Sequence, residues 1–209
     1  MVELCPDLER DYSAKLIKKT EKLITKKWRS RSEDELKAYF LGEDLANRFT
    51  GYRLPDLKKF MGMVTFFAQQ LEPFKTKMNK LLLYADFLNY KNSGYSISGI
   101  RYQAIQMGPV PRKYHSIYEY MADKKLLDVE SVRFPRYTGV QFVMNKEQPF
   151  NADLFDKEEL NVMNRVVDVF RDNNASEISD ISHKEQAWIQ NEGGKNLINY
   201  NLAFELTEL

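Results

Sequence analysis

The chain has 209 residues, with 31 basic and 30 acidic side chains and a formal net charge of +1, so global charge predicts no polyanionic partner. One cysteine, Cys5, excludes a disulfide framework and a cysteine-based metal site, and no run of about 18 apolar residues offers a membrane span. The first residues carry Glu3, Asp7 and Glu9 and lack an apolar signal stretch, so the expected localisation is cytoplasmic, with no membrane partner.

Residues 1–50 are expected to form an N-terminal helical extension. From position 15 to 31 they hold Lys15, Lys18, Lys19, Lys22, Lys26, Lys27, Arg29 and Arg31 against a single acid, Glu21. Leu16, Ile17, Leu23 and Ile24 add only a narrow apolar stripe, which predicts a basic helix over about 12–28. Such a helix is either a solvated face or a contact to nucleic acid or an acidic protein surface. Ser32 with Glu35 reads as a capping box opening a helix to about Phe49. Thr50-Gly51-Tyr52 breaks it. Pro55 then opens a helix at its first turn, with Asp56 at the positive end, and Leu57, Phe60, Met61, Val64, Phe67, Ala68 and Leu71 form its stripe up to Pro73.

The organising stretch is 77–121. Met78, Leu81, Leu82, Ala85 and Leu88 recur at helical spacing, and Asn92-Ser93-Gly94 stops the helix. An extended run over 100–107 follows. Gly108-Pro109-Val110-Pro111 reads as a rigid turn that places Pro111 at the first position of a helix bearing Tyr114, Ile117, Tyr118 and Met121. Residues 126–144 change period and read as an antiparallel hairpin with a loop longer than a tight turn. Asp156 or Asn151 caps a helix whose inward face is Leu160, Met163, Val166, Val167 and Phe170. Short helices are expected over 175–182 and 185–191, with a last apolar turn over 200–206. The fold class is therefore mainly α with a small antiparallel β-hairpin or sheet (α+β).

No catalytic set is evident, and no cofactor or metal site is read from the residues. Ser182 and His183 are adjacent, so on a helix their side chains diverge by roughly 100° and cannot act as nucleophile and base. His183 and Glu185 lack a further metal ligand at a recognised spacing. Ser182 reads as a cap for Glu185, and His183 and Trp188 as packed structure. Asp86, in an apolar helix, calls for a partner, with Arg101 or Lys80 as candidates. The Gly-Pro segment has too few N–H groups to cradle phosphate.

The blocks Lys80-Leu81-Leu82-Leu83-Tyr84-Ala85-Asp86-Phe87, Ser98-Gly99-Ile100-Arg101-Tyr102-Gln103-Ala104 and Gly108-Pro109-Val110-Pro111 resemble the signature of the Panacea domain, the SocA-like antitoxin domain also known from phage-associated GepA-type proteins. The block 177–183 with Ala187-Trp188 is similar to the family's C-terminal motif, and the likeness runs from about Tyr52 to Leu206. The resemblance implies a compact helical antitoxin domain over 51–209, in a bacterial or phage cytoplasmic protein that is not an enzyme. Its expected partner is a cognate protein toxin, neutralised by direct binding, and small alarmone synthetase-like enzymes are among the toxins of that family. Two alternatives follow from relatives: an adaptor delivering a toxin to a Clp protease, with the basic segment or the tail 205–209 as docking element, and an autoregulator binding operator DNA through the basic segment. Residues 1–50 show no recognition-helix pattern. Tyr95, Arg101, Tyr102, Met107, Pro109, Arg112 and Tyr114 around the Gly-Pro elbow are the candidate partner-binding residues, because tyrosine and exposed apolar side chains anchor interfaces.

Overall fold

The computed structural model describes residues 32–42, 45–135 and 137–209. The expected basic helix over 12–28 lies outside them. The chain divides into two units, residues 1–39 and 40–209. Helix α1 (Glu33–Leu41) starts on the expected capping box, in which Ser32 N–H donates to Glu35 Oε2 and Glu35 N–H to Ser32 Oγ. It ends at Leu41, short of the expected Phe49. Asn47 is the physical reason for a turn further on: its Oδ1 accepts from Phe49 N–H and its N–H donates to Thr50 Oγ1.

Helix α2 (Leu57–Leu71) is capped by Asp56, whose carboxylate accepts from Lys59 N–H. Pro55 therefore precedes the cap and does not occupy the first helical position. Glu72 takes a left-handed conformation and closes α2. Helix α3 (Lys75–Ser93) follows and ends on Gly94 at φ +80°, the expected stop.

Every side chain of α3 from Lys77 to Tyr90 is buried. The sequence suggested one inward stripe, but α3 is enclosed on all sides by the rest of the unit. A polar side chain in such a helix must find a partner, and each here reaches a different element. Lys77 Nζ donates to the carbonyls of Arg171 and Asn173. Asn79 Oδ1 accepts from Tyr118 Oη at 2.7 Å. Tyr84 Oη donates to Glu185 Oε1, Asn89 Nδ2 to the Tyr95 carbonyl, and Tyr90 Oη to Asn201 Oδ1. The helix is thus a hub that fixes its neighbours by direction as well as by apolar burial.

Strand β1 (Tyr102–Ile105) pairs antiparallel with β2 (Gly108–Pro111). The Gly-Pro segment is thus a strand, and the tight turn lies one step earlier, at Gln106-Met107. The register explains how prolines fit. Arg112 N–H donates to the Arg101 carbonyl, so Tyr102–Pro111 and Ala104–Pro109 fall at the non-hydrogen-bonded pairs, where no N–H is needed. Helix α4 (Tyr114–Asp123) begins three residues after Pro111, behind Lys113 at φ +60°. On the other edge of β1, Ala104 N–H donates to the Asn196 carbonyl and Ile198 N–H to the Tyr102 carbonyl.

Strands β3 (Asp128–Arg133) and β4 (Thr138–Val143) form the expected hairpin, joined by residues 134–137. Helix α5 (Lys157–Phe170) carries a capping box between Asp156 and Glu159, while Asn151 caps the separate 3-10 turn Ala152–Leu154, so both proposed caps are used. Helix α6 (Ala175–Ser182) has its own capping box from Asn174 and Glu177. Helix α7 (Gln186–Ile189) and a 3-10 turn (Tyr200–Glu205) complete the unit. α2, α5, α6, β2 and this last turn all pack on α3. The architecture is mainly α with two small antiparallel sheets.

Candidate functional site

The buried polar groups of α3 define two ends. At one end Asp86, fully buried, accepts four hydrogen bonds: Oδ1 from Ile97 and Ser98 N–H at 2.8 Å each, and Oδ2 from Ser98 Oγ at 2.5 Å and Tyr102 Oη at 2.8 Å. Burial pushes its carboxyl up from the usual range, against the pull of these donors. The carboxylate therefore pins the loop between α3 and β1. The expected ion pair with Lys80 is not formed. Arg101, the other proposed partner, donates through Nη1 to the Leu41 carbonyl at 2.7 Å.

Lys80 does its work at the other end. Its side chain is wholly buried, and Nζ donates to the carbonyls of Met107 and Pro109 at 2.6 and 3.0 Å. Burial lowers its pKa to about 7. Gly108, at φ +91°, lies directly over it: a Cβ there would stand 2.5 Å from Lys80 Nζ and 2.8 Å from Ser182 Oγ. Only glycine meets both demands. Gly108→Ala is expected to cost about 2 kcal/mol or more in urea unfolding. A wild-type midpoint would show that Lys80 and Ser182 yield freely.

Ser182 is not the expected cap for Glu185. It ends α6, and its hydroxyl donates to the Ser179 carbonyl at 2.8 Å. Glu185, buried, accepts instead from Tyr84 Oη and from Thr207 N–H and Oγ1. Its pKa is raised chiefly by burial. The tail is thereby docked: Leu206 is buried, and Lys91 Nζ donates to the Leu209 carbonyl at 2.6 Å. His183 stacks on Trp188 with ring centroids 4.2 Å apart, and Trp188 Nε1 donates to the Ile105 carbonyl, so both are packed structure as expected.

Beside this corner lies a groove of about 730 Å³ between the start of α3, the hairpin and α6. Phe74, Met107, Phe134 and Tyr137 give it apolar walls. Phe134 lies 5.7 Å from the Phe74 ring and 4.7 Å from that of Tyr137. Ser179 and His183 also line it, and two of their buried atoms, Ser179 Oγ and His183 Nε2, have no hydrogen-bond partner. The pKa of His183 is lowered by burial and then by the nearby Lys80 charge, which favours the neutral imidazole.

The seven residues singled out from the sequence do not share one surface. Met107 and Tyr95 are exposed by 57% and 54%, and Arg112 is exposed. Tyr114 is half-buried, while Arg101, Tyr102 and Pro109 are buried. Met107 sits over Lys80 and Tyr95 beside Asn89, which puts them about 13 Å apart along α3. Arg101 and Arg112 are brought together by their backbone bond. Sequence reasoning missed Phe74, Phe134 and Ser179, and named the underlying Lys80 only as a candidate partner for Asp86. The one usable signal was a lysine inside the apolar run Lys80-Leu81-Leu82-Leu83.

Among the described residues, no three of histidine, cysteine, aspartate and glutamate group as metal ligands. No described helix is long and apolar enough to cross a membrane. A family model described as antitoxin SocA-like, Panacea domain, matches residues 78–189, more than half of the chain. Neither the curated proteins nor the solved structures contain a match.

Proposed function

We propose, from the premise that the chain belongs to the antitoxin SocA-like, Panacea domain family, that it neutralises a cognate protein toxin by direct binding. The match over 78–189 carries this reading, since it spans the Asp86 end, the elbow and α6 together. The structure adds a physical rationale. Binding without chemistry needs a surface held in one shape, and α3 provides that by tying each neighbour through a directed hydrogen bond. The body of the antitoxin is the domain over 51–209. The mechanism is steric: the bound antitoxin covers the toxin's active site or the path of its substrate, as would suit a translation-blocking enzyme of the small alarmone synthetase type.

The role of the lysine-rich segment in DNA or Clp binding falls on residues outside those described, and no observation favours it. The docked tail, with Leu206 buried, is poorly placed as a free protease-docking peptide. Co-expression tests the proposal. The product of the adjoining gene should arrest growth alone and be harmless beside this chain. A product that is harmless alone, or toxic in both cases, contradicts it.

A further inference from the structure

We draw no further inference here: the strongest candidate, the outer edge of β3, where the main-chain groups of Val129, Ser131 and Arg133 turn away from β4 and pair with no described strand, carries none because, as for the apolar groove beside the elbow, nothing in the structure shows what covers it.

Discussion

Asp86→Ala is expected to lower the unfolding free energy by about 4 kcal/mol or more, enough to leave little folded chain at 37 °C. The carboxylate carries no described ion pair; its value is that two backbone N–H groups and two hydroxyls converge on it where water is absent. Truncation orphans four buried donors at once. It also releases the loop from Ile97 to Tyr102, which starts β1 and packs Tyr102 against Phe87 with ring centroids 5.9 Å apart. Asp86→Asn should fall between the two, because its carbonyl can still accept from the Ile97 and Ser98 N–H groups while the amide faces hydroxyls that can turn. Urea denaturation of the three proteins checks the order. Equal midpoints for wild type and Asp86→Ala would show that the loop is held elsewhere.

The second large effect belongs to Lys80 and appears as a dependence on pH. Its folded pKa is lowered from 10.5 to about 7 by burial. Between those values the unfolded chain holds the proton and the folded chain releases it. Stability therefore rises with pH across this window, and the penalty for the buried ammonium is fully present below about pH 7. Measured against Lys80→Met, in which the titrating group is gone, wild type should gain up to about 1.4 kcal/mol per pH unit between pH 7 and 10. The difference from the variant removes the contribution of the buried tyrosines, whose own pKa values are raised. A difference between the two proteins that stays flat from pH 7 to 9 would place the amine in a wetter setting than the structure gives it. The Met variant also leaves the Met107 and Pro109 carbonyls without their donor, so the elbow itself should loosen.

Local chemistry was the legible part of this fold. Ser32 with Glu35 and Asp156 were readable as helix starts because a cap needs a specific side chain at a specific offset, whereas the Asp56 cap and the box of Asn174 with Glu177 were not read. Gly94 marked the end of α3 for the same reason. The hairpin showed through its change of period. The Gly-Pro segment misled because proline is rare in strands; only the register, which no single segment reveals, puts Pro109 and Pro111 where the ladder needs no N–H. The full enclosure of α3 was hidden in a similar way. The sequence showed one inward stripe and marked Asp86 as the residue in want of a partner, whereas Lys77, Asn79 and Lys80 are also buried and bonded to elements further along the chain.

The site was harder to read than the fold. Met107 was named as a candidate contact at the elbow, and its side chain is exposed there. Its neighbours in the groove come from residues 74, 134, 137, 179 and 183, which only the packing around α3 gathers. Lys80 was named only as a candidate partner for Asp86, because the backbone carbonyls it serves leave no mark on residue type. The orphaned atoms of Ser179 and His183 left no trace in the sequence at all, since a missing partner is a property of the fold.

The proposed function requires that the protein act by occupying its toxin, with no chemistry of its own. Titration of the purified toxin with the purified chain, in the absence of nucleotide, protease and DNA, tests that most directly. Toxin activity should fall in proportion to added chain and vanish near one equivalent, with a stable complex recovered. Full toxin activity at saturating chain, or a loss of activity only when a protease and ATP are added, would contradict it.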